Sequence, residues 1–419
     1  MSEIRMLSAS DFDAMAHIFA EAYPGLGIVT EEGRNRFKAR ALKIHDEEPT
    51  AHFYGLFRDG QLLGIMCLYD FWMNFLQARI PAGGVGQVAV ALLHKKAHVA
   101  KEMMVYSLQH YRAQNVPLVA LYPFRPDFYR KMGFGYGTKM NQYRVKPEAL
   151  PGAPARRGVR YLDGADRQAV LECYQRAVDR THGMMDKTGR ELDRLFANPQ
   201  HRIAGYERDG RLDGYLVFAF EAGETWLQND IQVEELIYDG REALAALLGF
   251  LQVQADQIRH IIINTQDEYL HHLLIDPRNG SDRLIPDVYH ETNSQGLGLM
   301  YRVIDVPGIF ERLAGRDFGG QSCTLKLTVE DSLLPENAGS TLLRFERGYV
   351  QRLDAGRSEA AHDVEMRLDI ADFSSLLAGT VDVTSLHRYG LADISAPVYI
   401  GTLNRLFAVE QKPVCTTGF

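Results

Sequence analysis

The residues best suited to chemistry cluster in "RPDFYRKMGFGYG", Arg125 to Gly137. Tyr129 follows Phe128 and precedes a Met-Gly-Phe run. Its hydroxyl is either part of a core aromatic before a turn or a proton donor in a reaction. A donor raises the matching question of where a proton is accepted. Tyr136, between two glycines, is a second phenol and reads as packing near the turn.

The elements that must position this stretch come in two copies. "IRMLSASDFDAMAHIFAEAY" from Ile4 and "VRYLDGADRQAVLECYQRAV" from Val159 each read as a short strand, a polar turn and an amphipathic helix. "FRDGQLLGIMCLYDF" (57–71) and "ERDGRLDGYLVFAFE" (207–221) each read as a hairpin around a tight Asp-Gly turn. Asp209 follows Asp59 by 150 positions and Val159 follows Ile4 by 155, so the offset is nearly constant and points to a duplicated domain. The Pro- and Gly-containing "KPEALPGAPARRG" (146–158) between the copies reads as a linker.

After each hairpin come a strand, a helix and a further strand. In the first copy these are "GGVGQVAV", "KEMMVYSLQHYRAQN" and "PLVALYPF", with "ALLHKKAHVA" between strand and helix. The second copy has "IQVEELIYDG", "REALAALLGFLQVQADQI" and "RHIIINTQD". It lacks both the basic turn and the Phe-Tyr-x-x-x-Gly-Phe run. From about residue 300, alternating segments such as "CTLKLTVED" and "DVEMRLDIADF" predict antiparallel strands. "DFSSLLAGTVDVTSLHRYG" predicts two short helices, and "PVYIGTLNRLFAV" a closing strand or helix. This last part reads as a small α+β domain.

Bulk properties narrow the function. The 419 residues suffice for two to four domains, each with its own core. No apolar run approaches the ~18 residues of a membrane span, and the N-terminus shows no signal-peptide pattern. Four scattered cysteines without a C-x-x-C suit a reducing cytoplasm and argue against a zinc site or a disulfide framework. A formal net charge of -8 disfavours nonspecific nucleic-acid binding.

Strand, basic turn, helix, strand and then Phe-Tyr-x-x-x-Gly-Phe resembles the GNAT superfamily of acetyl-CoA-dependent N-acetyltransferases. The whole chain resembles its Eis (enhanced intracellular survival) type. That resemblance implies an α/β and α+β architecture: a catalytic GNAT domain over 1–150, a second GNAT domain without the cofactor motif over 151–295, and a sterol-carrier-protein-like domain over 296–419. The C-terminal tail would reach the active site. Relatives acetylate amines, aminoglycoside antibiotics among them, and assemble as hexamers. The expectation is therefore a cytoplasmic homo-oligomer with acetyl-CoA as donor and a small amine as acceptor, acting on neither nucleic acid nor membrane and needing no metal.

The resemblance also assigns residues. Lys95, Lys96, Ala97, His98, Val99, Ala100 and Lys101 match the turn whose backbone N–H groups and helix dipole hold a pyrophosphate. His98 stands where the family pattern has Gly; a helical backbone there would turn the imidazole aside. Val88, Ala89 and Val90 would line the acetyl-pantetheine arm, with Phe124 and Arg125 beside the cofactor. Tyr129 matches the general acid that protonates the CoA thiolate. Transfer from a phenol near pKa 10 to a thiol near 8.5 is uphill by about 2 kcal/mol. The strand "GGVGQVAV" carries Gln87 and no carboxylate, and in Eis-type proteins the C-terminal carboxylate of a terminal Phe is the base. Phe419 ends this chain. Trp72, in "DFWMNFLQ", is the expected aromatic facing the amine. The alternative is a catalytically weak acyl-CoA or lipid-binding protein, with His98 marking a decayed cofactor turn.

Overall fold

The computed structural model describes residues 2–152, 158–223, 225, 228–353 and 361–419. The chain divides into two compact units: Met1–Gly137 with Leu299–Lys412 and Gly418–Phe419, and Thr138–Gly298 with Pro413–Thr417.

In the first unit a seven-stranded sheet runs in the order Ser2–Met6, Ala51–Arg58, Gln61–Phe75, Ala78–Val90, Leu118–Leu121, Met300–Val303, Gly135–Tyr136. The Asp-Gly hairpin forms as expected, with Asp59 and Gly60 at φ 50° and 77°, the left-handed pair that matches strand twist. Ala78–Val90 and Leu118–Leu121 are parallel, so the chain must cross over between them, and helix Val99–Ala113 makes the crossing. That helix buries Val99, Met103, Met104, Leu108 and Tyr111 on one face of the sheet. On the other face, Phe12–Ala22 buries Phe12, Met15, Ile18 and Phe19.

A five-stranded sheet completes this unit, in the order Tyr349–Arg352, Gly339–Glu346, Cys323–Glu330, Val364–Asp369, Ala392–Ile394. The two short helices predicted around Gly-Thr are Ile370–Leu377 and Val383–Arg388, and "PVYIGTLNRLFAV" closes with helix Ile400–Leu406. Helix Ile370–Leu377 docks on the Gly135–Tyr136 strand. Ser375 and Thr380 hydroxyls donate to the Tyr136 carbonyl at 3.0 and 2.7 Å. A Cβ at Gly135 would stand 2.2 Å from the Ala371 carbonyl oxygen. Gly133 and Gly135 of "MGFGYG" thus serve this close approach as much as any chemistry upstream.

The second unit repeats the first sheet: Ser294–Gly296, Met140–Val145, Ile258–Thr265, Asn229–Tyr238, Arg211–Glu221, Arg202–Arg208, Val159–Tyr161. Its Asp209-Gly210 turn has the same left-handed pair, at 52° and 76°. Each sheet recruits a strand from beyond its own sequence block. Met300–Val303 pairs with Leu118–Leu121 in the first, and Met140–Val145 pairs with Ile258–Thr265 in the second. Part of the expected linker is accordingly structured. Pro147–Ala149 forms a helical turn and Leu150 is buried in the second core, while 153–157 lie outside the described residues.

Candidate active site

The site begins where two parallel strands part. Ala78–Val90 pairs with Leu118–Leu121 only through Ala82, Gly83 and Gly84. Beyond Gly84 the register against Gln61–Phe75 also slips, between Ile65 and Cys67, and Gln87 turns to φ 53°. Such a bulge bends a strand and leaves backbone groups unpaired. The result is a cleft of about 950 Å³ lined by Val88, Ala89 and Val90 on one side and by Phe124, Arg125 and Phe128 on the other. His94, Lys95, Lys96, His98, Val99, Ala100 and Lys101 line it as well. Of the expected cofactor residues, Ala97 alone is not on this lining. It packs on the core, and its carbonyl accepts from Arg58 at 3.1 Å.

The electrostatics suit an anion with an apolar arm. Lys95, Lys96, Lys101, Arg125 and Lys131 line the cleft and, among the described residues, no carboxylate does. Helix Val99–Ala113 begins at the cleft wall, so its first N–H groups, which have no intrahelical acceptor, are available to a ligand. His98 caps that helix at φ 61°, ψ 7°. This is left-handed, so the right-handed helical backbone that would turn the imidazole aside is not adopted. The family's Gly is therefore replaced at a position where Gly is favoured, and a side chain there costs about 1–2 kcal/mol.

Tyr129 sits in the short helix Pro126–Arg130 and is 2 % exposed. Its ring packs edge-on to Phe124 at 6.0 Å and Phe128 at 5.2 Å. Burial, and secondarily the phenol of Tyr23, raise its pKa far above the ordinary phenol value, so it stays protonated. Tyr23 was not singled out from sequence. It lines the cleft and its hydroxyl donates to the Val88 carbonyl at 2.7 Å, closing one of the acceptors that the bulge frees. No local pattern in "AEAYPG" marks that role. Tyr136 is on the Gly135–Tyr136 strand, 5.7 Å beneath the Arg130 guanidinium.

Phe419 lies against the same splayed strand. Its ring is 5.0 Å from Phe71, 5.6 Å from Tyr69 and 5.3 Å from Tyr122. A Cβ on Gly84 would come within 3.0 Å of that ring, and one on Gly86 within 3.0 Å of the Phe419 carboxyl carbon. Gly84 and Gly86 of "GGVGQ" thus form a cradle for the chain terminus. On the opposite face, Gly83 faces the Tyr111 ring, whose hydroxyl lies 2.8 and 3.0 Å from the Tyr69 and Gly84 carbonyls. Next to the cradle, the Gln87 amide donates to the Tyr69 hydroxyl at 3.0 Å. Trp72 is on the other face of its strand from Tyr69 and Phe71. It is half exposed, with Arg79 over its ring. The aromatics around Phe419 are therefore Tyr69, Phe71 and Tyr122, and the signal for two of them was the same "YDFW" run.

At the corresponding place in the second unit the described residues form an ion pair instead. Just past the last parallel rung, Val233 with Ile263, Glu235 is buried in an ion pair with Lys187 at 3.0 Å. The Lys187 ammonium also sits 4.3 Å over the Tyr174 ring.

Comparison with known proteins agrees with this geometry. A family described as an acetyltransferase (GNAT) domain matches residues 3–137, a second GNAT family matches 177–303, and a sterol carrier protein domain matches 309–416. The chain belongs to the GNAT N-acetyltransferases, with two GNAT domains followed by a sterol carrier domain. An uncharacterized N-acetyltransferase of Streptomyces avermitilis is 27 % identical over 364 residues, 82 % of this chain and 83 % of that one. The fold is shared with Eis1 of Mycobacterium abscessus, with a TM-score of 0.78 and 22 % identity over the whole of both chains. It is also shared with a probable N-acyltransferase of Enterococcus faecalis V583, at 0.80 and 20 %, again over both whole chains. GNAT domains use acetyl-CoA. Among the described residues, no helix is long and apolar enough to cross a membrane.

Proposed function

We propose that this GNAT enzyme moves the acetyl group of acetyl-CoA to a primary amine of a small molecule, an aminoglycoside or a polyamine-like compound. The cleft of the first unit holds the donor, with Lys95 through Lys101 at its pyrophosphate and Val88–Val90 along its pantetheine arm. The Phe419 carboxylate takes a proton from the attacking amine. The Tyr129 hydroxyl gives one to the departing thiolate, so the proton count closes between amine and thiol. Burial makes the phenol a weaker acid and the thiolate a stronger base alike, so the two effects offset. The transfer stays uphill by about 2 kcal/mol, as in free solution, which a positioned site can supply.

The observation that carries this reading is the glycine cradle. Gly84 and Gly86 leave room for the ring and carboxyl of Phe419 on the strand whose next residues border the donor cleft. An acetyl-CoA assay over a panel of amines, run on the full chain and on a chain lacking Phe419, tests it. Turnover with one class of amine and its loss on deletion are expected. Equal rates remove Phe419 as the base, and no binding or turnover of acetyl-CoA at all ends the enzyme reading. His98 in a left-handed cap favours one alternative, a weak acyl-CoA or lipid binder, which native mass spectrometry of the purified protein would reveal as a retained lipid.

A further inference from the structure

The donor cleft is not built from the GNAT domain alone. Ser332 and Leu333, from the sterol carrier part of the same compact unit, line it beside Lys131. The same three residues also line a smaller adjoining cavity of about 230 Å³, together with Arg130 and Gly133. The segment is held rigidly. The Asp331 carboxylate receives both Arg302 Nη atoms at 3.0 and 2.8 Å, the Leu333 and Leu334 N–H groups at 3.1 and 2.9 Å, and Asn337 Nδ2 at 3.1 Å. Arg302 is fully buried, and Leu334 belongs to the core cluster that contains Tyr129. A carboxylate this fully satisfied fixes the loop it caps, so Ser332 and Leu333 present a preformed wall.

That wall presents the Lys131 ammonium and has spare donors. Among the described residues, no ion pair engages the Lys131 ammonium, no hydrogen bond engages the Ser332 hydroxyl, and the buried Arg130 Nη1 lacks a partner. Two carboxylates also line the smaller cavity, one paired with Arg302 and one capping a helix. Asp331 is bound as above, and Asp369 accepts from the Ala371 N–H at 2.8 Å. Lys131 follows the Pro126–Arg130 helix, a different element from the one carrying Lys95 to Lys101. A ligand that satisfies both groups needs two separate anionic parts. Coenzyme A has them: a pyrophosphate and, on its ribose, a 3′-phosphate.

We propose that Lys131 and Ser332, with Leu333 as apolar floor, form the subsite for the 3′-phosphorylated adenosine end of the donor, so that the sterol carrier part supplies a wall of the acetyl-CoA site. This rests on the donor reading above. Calorimetry on the full chain with acetyl-CoA and with acetyl-3′-dephospho-CoA tests it. The unaltered protein should prefer acetyl-CoA by about tenfold, the strength of one or two charge-assisted hydrogen bonds. Lys131→Gln should erase most of that preference. Ser332→Asp should weaken acetyl-CoA about tenfold and the dephospho ligand much less. Both side chains are exposed, so neither change threatens folding. Equal affinity of the unaltered protein for the two ligands overturns the subsite while leaving the donor reading intact. So does an equal loss for both ligands in the variants. Binding of neither ligand overturns both.

Discussion

Tyr129 and Phe419 are the two residues on which the proposed chemistry turns, and they make separable demands. Tyr129 is enclosed by aromatic rings and raised far above its ordinary pKa by burial. Removing its hydroxyl leaves the packing in place. Tyr129→Phe should therefore lower kcat by about 10²–10⁴-fold, the usual worth of a positioned acid, with acetyl-CoA affinity changed less than about twofold. Calorimetry and steady-state rates check this, and an unchanged kcat would make the phenol a packing residue. A second titratable pair involves Asp70, on the opposite face of its strand from Tyr69 and Phe71. The His52 imidazole is 3.0 Å from the Asp70 carboxylate, whose hydrogen bond raises the His52 pKa against the opposing effect of burial. A pKa raised on folding stabilises fully below the unfolded value, about 6.5, and that contribution is lost as pH rises through the folded value. The pair is partly exposed, so the effect is modest. His52→Gln should destabilise the protein near pH 5.5, with the difference shrinking toward pH 8 in denaturant melts. A pH-independent difference would show that the pair contributes nothing through titration.

At the scale of elements, the strand Ala78–Val90 does several jobs at once. It pairs through Gly84, bulges at Gln87, receives Tyr111 on one face and Phe419 on the other. Its glycine content was visible in the sequence but read only as an apolar strand, because nothing local says what approaches a glycine. The approaching group is the chain end, more than three hundred residues away. The hairpins and the duplication were legible because Asp-Gly turns and alternating patterns are local signals. The exchange of Met300–Val303 and Met140–Val145 between sheets was not, since a short apolar strand reads alike in either sheet. Trp72 shows the same limit: one residue of register decides which face of the strand an aromatic occupies. Gly86→Ala tests the cradle. The added methyl meets the Phe419 carboxyl at about 3.0 Å, so the terminus must shift. We expect kcat to fall at least tenfold, because misplacement by about 1 Å costs up to 10²-fold, while donor affinity stays near that of the unaltered protein. A variant with full kcat would mean that the terminus has no part in proton transfer.

At the scale of the molecule, sequence-adjacent blocks are not independent pieces. The first GNAT sheet is completed by Met300–Val303, which pairs with Leu118–Leu121 on one side and with Gly135–Tyr136 on the other. Val303 N–H in turn donates to the Ser374 hydroxyl at 3.0 Å, and Arg302 brings in the buried pair with Asp331. A chain ending at residue 150 keeps the residues proposed for the donor turn and Tyr129, yet loses the strand that covers Leu118–Leu121. It also bares Met132 and Phe134, which pack in the cluster that includes Met300, Ile304 and Leu334. An uncovered apolar edge strand is a template for association, and a small domain has little stability to spare. Such a truncated chain should therefore be aggregated or lack a cooperative thermal transition, whereas the full chain unfolds cooperatively. Scanning calorimetry with light scattering distinguishes the two. A monomeric, cooperatively unfolding fragment 1–150 would show that the strand from residue 300 is dispensable to the first sheet, and the donor site would then have to be assigned to the GNAT block without help from the sterol carrier part.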